Sequence, residues 1–379
     1  MIDWSADQRE LRDGLAPWFE KFGDEHLAHD KAARFPRGPW QAVGESGLLG
    51  LPFDPEYGGL GQDLLTTMYV LEGLGQGCRN GGLNFSVTTS MVSVGVPLHR
   101  FGSAALKAAH LPGIAAGSVI GAHAISEPGG GSDALAMRTS AVPDGDHFVL
   151  NGSKTFVSNG PVADLIAVYA KTDPTAGPLG VTTFLVERDT PGLAVGNPIE
   201  KMGLKASPMA ELFFDDCRVP KANVVGRVGT GFLVLDHVMK WEILCSFAVT
   251  VGEMQRRLEG CIAYAKERTA FGKPIGSYQA VSGKVVEMKI GVETSRKWLY
   301  DTAARLTAGQ NVTVDLAAAK LVVSEANLAS ALHAVQIFGG NGYMAEYGVE
   351  QELRNAVAGT IYSGTSEVQR VRIATMLGL

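Results

Sequence analysis

Three long stretches with few helix breakers dominate the last part of this 379-residue chain: Gly231–Arg268, Ala280–Thr307 and Thr313–Phe338. Helices of that length hold together only by packing, so they predict antiparallel helices bundled around a shared core. The third stretch is rich in alanine, which lets neighbouring backbones approach closely. No convincing internal repeat accompanies them.

The rest of the chain divides in two. From Ser5 to about Ser118 the pattern is mainly helical: Gln8-Arg9-Glu10-Leu11 opens an amphipathic stretch, and Pro36 and Pro39 punctuate the next. Pro52 to Gly61 forms a polar, glycine-rich connection before Leu64 to Gly75 resumes a helical period. Between about 119 and 228 the period shortens. Pro143-Asp144-Gly145-Asp146 reads as one turn and Asn151-Gly152 as a second, with His147–Leu150 as a short strand between them. Asp164–Tyr169, Val181–Val186 and Leu212–Phe214 are further strand candidates. The expected domains are therefore 1–118, helical; 119–228, β; and 229–379, helical.

Composition limits the classes of function. Hydrophobic residues at 46% and charged residues at 19% describe a folded chain, and a formal net charge of −6 leaves no basic surplus for nucleic acid or an anionic membrane. The uncharged runs Asn80–His99 and Ala108–Ser126 are diluted by Gly, Ser, Thr, Asn, His or Pro, so no integral membrane association is expected. Met1 to Ser5 carries no apolar signal stretch, and Cys78, Cys217, Cys245 and Cys261 form no CxxC pair. Reduced core thiols in a cytoplasmic protein with no metal site are the expectation.

Five stretches carry chemistry: Ile125-Ser126-Glu127-Pro128-Gly129-Gly130-Gly131-Ser132-Asp133; Asn151 to Gly160; Glu267-Arg268-Thr269-Ala270-Phe271-Gly272-Lys273; Gln336-Ile337-Phe338-Gly339-Gly340-Asn341-Gly342-Tyr343; and Tyr362-Ser363-Gly364-Thr365-Ser366-Glu367-Val368-Gln369-Arg370. In that order and spacing the chain resembles the acyl-CoA dehydrogenase family over essentially its whole length. The resemblance implies an acyl-CoA dehydrogenase-like fold, with an α-helical N-terminal domain, a central β domain and a C-terminal four-helix domain. It also implies FAD, a homotetramer and an electron-transfer flavoprotein as partner.

Gly129-Gly130-Gly131-Ser132 lacks the Lys-Ser/Thr pair of a phosphate loop and the βαβ context of a dinucleotide fingerprint, so taken alone it is a simple turn. The resemblance implies more. It sets Ile125, Ser126 and Ser132 beside the flavin, and Phe156 and Ser158 against its ring, where a hydroxyl or N–H would favour developing negative charge. It sends Arg268 and Phe271 to the FAD of a neighbouring subunit, with Gln336, Gly339 and Gly340 serving the same cofactor half. Thr365 and Glu367 would lie near the pyrophosphate and adenosine; an ionised glutamate cannot donate a hydrogen bond there. Without the resemblance these residues read as a solvated arginine, core aromatics and helix-ending glycines.

Desaturating a thioester needs a carboxylate to take the α-proton while hydride leaves the β-carbon. Most family members place that glutamate immediately before the Gly-Thr of the last motif, where this chain has Ser363. Isovaleryl-type members carry it on the helix after the β domain, and Glu242 falls at that position. Leu235, Val238, Met239 and Val249 share its helical face, so the carboxylate is expected against a largely apolar stripe that would raise its proton affinity. A salt-bridged or capped glutamate is the plain alternative. The backbone N–H of Ser363 is expected to help hold the thioester carbonyl.

Ile243 replaces the arginine that commonly follows this second glutamate position, giving Trp241-Glu242-Ile243 and removing a guanidinium from the substrate channel. The substrate expectation is therefore a short or branched acyl-CoA, or an acyl or aminoacyl group on a carrier protein. A flavin oxidase using oxygen and a non-catalytic flavin-binding assembly protein are the alternatives.

Overall fold

The computed structural model describes residues 2–379. Helix α1 (Ala6–Phe22) begins where the Ser5 hydroxyl accepts the Gln8 N–H and the Gln8 side chain accepts from the Ser5 N–H, a reciprocal cap. It is followed by α2 (His26–Ala32), α3 (Arg37–Glu45), α4 (Leu64–Gly77) and α5 (Gly81–Thr88). A π-helical segment, Thr89–Gly95, then leads into α6 (Val96–Phe101) and α7 (Ala104–Ala115). The uncharged run from Asn80 is thus buried helix, and Ser90 and Ser93 within it are buried as well.

The middle region is an eight-stranded sheet. Its strands are β1 (Gly121–Ala124), β2 (Ser140–Asp144), β3 (His147–Ser158), β4 (Leu165–Lys171), β5 (Val181–Glu187), β6 (Leu193–Val195), β7 (Met209–Pro220) and β8 (Val224–Val225). The spatial order is β6-β7-β3-β2-β4-β5-β8, with β1 parallel to β4. The expected turn at Pro143–Asp146 closes the β2–β3 hairpin, where Asp144 pairs with His147. Asn151-Gly152 is not a second turn. It lies inside β3, at a register shift against β7, with Gly152 at φ +144. A glycine bulge absorbs the irregularity and the strand continues for six more residues, which carries Phe156 and Ser158 to the sheet's end.

The C-terminal region is α8 (Gly231–Glu267), α9 (Gln279–Thr307), α10 (Thr313–Phe338), α11 (Gly340–Tyr343), α12 (Val349–Ala358) and α13 (Ser366–Met376). By length and apolarity α10 could cross a membrane, yet it packs against α8, α9, α12 and α13. One hydrophobic core runs from the N-terminal helices into this bundle, and a second fills the sheet.

Helix α8 is held in place by two glycines. A Cβ on Gly75 of α4 would sit 1.9 Å from the Val249 carbonyl oxygen, and one on Gly252 of α8 would sit 2.0 Å from the Glu72 carbonyl oxygen. The α4–α8 backbones therefore touch. Arg296 of α9 adds a 2.9 Å ion pair to the buried Glu72. This crossing fixes the helix that carries Glu242.

Candidate active site

Glu242 projects from α8 with its side chain 18% exposed, at a point where three other segments meet. The π-helical segment supplies Ser93, whose hydroxyl donates to Oε2 at 2.7 Å. The connection after α12 supplies Ser363, whose hydroxyl donates to Oε1 at 2.5 Å. Strand β1 supplies His123, with Nδ1 3.8 Å from Oε2. Both carboxylate oxygens thus carry a hydroxyl donor, an environment the apolar helical face did not announce. That face is present: Leu235, Val238 and Val249 are buried, and Met239 is partly so. Ile243 is buried in the helical core, so its side chain faces the packing beside α8 rather than solvent.

His123 is clamped from behind. Its Nε2 lies 3.2 Å from the hydroxyl of the fully buried Tyr169. Burial pushes the imidazole below its ordinary range, against the upward pull of Glu242. Burial likewise pushes the Tyr169 phenol up, with Glu242 reinforcing the effect. Beside this polar edge, Ile125 and Met239 pack with Tyr169, Val181 and Leu235.

Ser363 itself sits at φ +54, in the left-handed region. Gln369 holds that turn by donating to the Ser363 carbonyl at 2.9 Å. The Ser363 N–H donates to no acceptor among the described residues, which leaves it free for a ligand carbonyl. Thr365 caps α13 by accepting the Val368 N–H, and Glu367 is exposed beside it.

The glycine run is a tight turn, closed by reciprocal hydrogen bonds between Glu127 and Gly130. Cβ atoms at Gly129 or Gly131 would meet nothing within 4 Å, and Ser132 is exposed. The turn is anchored by a residue the motif reading gave no role. Lys154 of β3, with no exposed surface, donates to Glu127 at 2.9 Å and to the Ile125 carbonyl at 3.0 Å. Burial raises the Glu127 carboxyl. The Thr139 hydroxyl, the Arg138 N–H, Lys154 and the Thr139 N–H outweigh it and hold the group at about 2. Thr155 completes the tie by donating to the Ser126 carbonyl.

Two residues beyond Lys154, Phe156 is 64% exposed and held at φ +56, with Val157 buried and Ser158 half-buried. An aromatic face forced outward beside an open turn and a hydroxyl fits a flat, polar-edged ring such as a flavin. The other expected cofactor residues lie elsewhere. Arg268 is exposed and Phe271 is 97% exposed, just past the end of α8. Gln336, Gly339 and Gly340 are exposed at the same end of the bundle, since Tyr264 stacks on Phe338 at 4.0 Å. Arg268 lies 26 residues beyond Glu242, about 39 Å along the helix axis. Within the chain, Arg268 and the residues beside it are therefore far from Glu242.

Three family profiles cover the chain in sequence: the N-terminal domain of acyl-CoA dehydrogenase over residues 5–118, its middle domain over 122–217 and its C-terminal domain over 229–378. The chain belongs to the acyl-CoA dehydrogenase family. Among acyl-CoA dehydrogenase relatives, an L-prolyl-[peptidyl-carrier protein] dehydrogenase of Pseudomonas fluorescens is 40% identical over 94% of this chain and 93% of its own length. The crystal structure of the prolyl acyl carrier protein oxidase AnaB matches with a TM-score of 0.96 at 40% identity, covering 100% of both chains. PigA with FAD and proline matches with a TM-score of 0.97 at 35% identity, covering 100% of this chain and 99% of that one. The expected helical, β and helical regions of an acyl-CoA dehydrogenase fold are all present.

Ser93, His123, Glu127 and Lys154 make contacts around this candidate site that the sequence did not point to. His123 had only a positional signal: it lies two residues before Ile125, where the first motif begins. Ser93 had none, since its contact with Glu242 spans 149 residues of chain.

Proposed function

We propose that this chain oxidises an aminoacyl thioester on a carrier protein, with Glu242 as the base that takes the α-proton. At the coarser level it is an FAD-dependent dehydrogenase of acyl or aminoacyl thioesters. The observation that carries the finer reading is the carboxylate of Glu242 gripped by the Ser93 and Ser363 hydroxyls, with His123 beside it. A base set among polar groups suits an acyl group that is itself polar near its α-carbon. The prolyl-carrier relatives support the same direction.

Each residue has a role in this reading. Ser363 orients Glu242 through its hydroxyl and offers its free N–H to the thioester carbonyl, stabilising the charge that develops there. FAD, when bound, supplies the two-electron acceptor. Ile125, Ser126, Ser132, Phe156 and Ser158 would hold its flavin half. The separation of Arg268 from Glu242 along α8, and the exposure of Phe271, Gln336, Gly339 and Gly340 at that end, support their service to a neighbouring subunit's FAD, with Thr365 and Glu367 nearer the pyrophosphate. That arrangement requires an oligomer, read here as a homotetramer of 1–118, 119–228 and 229–379 domains in the cytoplasm. The position of Glu242 and the serine at 363 support placing the base on α8, as in isovaleryl-type enzymes.

Anaerobic titration of the flavoprotein with L-prolyl-carrier protein and with isovaleryl-CoA tests the reading. Flavin bleaching by the first, and little by the second, is expected; the reverse makes the substrate a branched acyl-CoA. Relatives carry both dehydrogenase and oxidase names. Reoxidation by an electron-transfer flavoprotein but slowly by oxygen is the outcome expected for a dehydrogenase.

A further inference from the structure

We propose that Ser93 and His123 select an acyl group bearing nitrogen on its α-carbon over an alkanoyl group of the same shape. The inference rests on Glu242 acting as base on a thioester. That base removes a proton from the α-carbon, and an α-nitrogen is bonded to the same carbon at about 1.5 Å. Groups gathered around the Glu242 carboxylate are therefore the groups that nitrogen meets.

Those groups form one polar edge. Ser93 Oγ lies 2.7 Å from Oε2, and His123 Nδ1 lies 3.8 Å from the same oxygen. Tyr169, fully buried, fixes the far side of the imidazole at 3.2 Å. When the Tyr169 hydroxyl donates to Nε2, the ring proton sits on Nδ1 and points toward Glu242. Apolar packing adjoins it: Ile125 and Met239 pack with Tyr169 and Leu235. A small saturated ring with one nitrogen matches surroundings of that mixed character. Ser93 Oγ, already donating to Glu242, keeps lone pairs that an α-N–H can use and a methylene cannot, so the methylene would dry this polar edge with no bond in return.

The test uses the holoenzyme and two thioesters on one peptidyl-carrier protein, L-prolyl and cyclopentanecarbonyl, which differ by NH against CH₂. Anaerobic flavin reduction is expected to favour prolyl roughly 100-fold in the wild type. Ser93→Ala and His123→Phe are expected to shrink that ratio about tenfold each, while His123→Asn, which keeps a polar edge, retains most of it. If His123→Phe loses its flavin, Ser93→Ala carries the test, since it removes one oxygen only. A wild-type ratio near one overturns the proposal. So do variants that slow both thioesters equally, which would make these residues mere supports of Glu242. Reduction by butyryl-CoA but by neither carrier thioester overturns the aminoacyl reading itself, and so separates the two failures.

Discussion

Lys154 and Glu127 form an ion pair at 2.9 Å, and the lysine has no exposed surface at all. The pair joins the strand that ends in Phe156 and Ser158 to the turn that carries the glycine run. Two of the five motif stretches are thus one mechanical unit. Lys154→Met is expected to cost about 3–5 kcal/mol, because it strands a partly buried carboxylate whose partner has gone. Urea denaturation at neutral pH measures it, and flavin occupancy should fall in parallel.

The same carboxylate sets an acid limit. Glu127 is held at about 2, below the ordinary carboxylate value of 4.5. A depressed value means that the folded state binds fewer protons, so its contribution is whole above about pH 4.5 and fades as pH falls toward 2. Glu127→Gln should flatten the stability profile in that window.

Histidine acts at milder acidity. His237 is pushed to about 4 by burial, then by Arg100 and Lys240, against Asp236. The unfolded chain takes up its proton first, near 6.5, so stability falls from about pH 6.5 down to 4. His237→Phe preserves the edge contact with Phe101 and the packing on Trp241. Denaturation midpoints at pH 7 and 5 should lie closer together in that variant than in the wild type.

Glu242→Gln is expected to keep FAD and lose substrate-induced flavin reduction by roughly 10³-fold, read by anaerobic stopped flow. Ser363→Ala should be milder, at about tenfold, since it removes one donor to the carboxylate and leaves the backbone N–H. Equal losses in the two variants would move the base assignment away from Glu242.

Gly75→Ala and Gly252→Ala test the α4–α8 crossing. In an exposed helix such a change stabilises by about 1 kcal/mol. Here the new methyl meets backbone oxygen at 1.9 or 2.0 Å. Overpacking wins, and a net loss of about 1–3 kcal/mol is expected by denaturant titration.

Long elements were legible in the residues and their contacts were not. Thr313–Phe338 is read to the residue, and Gly231–Arg268 and Ala280–Thr307 to within one, because long breaker-poor runs have few alternatives. Strand β3 was cut short at Asn151-Gly152, since a dipeptide that makes a turn also makes a bulge. Glu242 and Ser363 were each singled out, although nothing local says that their side chains touch across 121 residues. Gly75 and Gly252 gave no warning either, because a close crossing depends on which two helices meet.

The contact between Ser363 and Glu242 also bears on what position 363 can carry. A side chain at 363 already reaches the carboxylate at 242, so glutamate there would set two anions face to face and force them to share a proton. A hydroxyl at 363 avoids that clash and gives the carboxylate a donor in place of a rival.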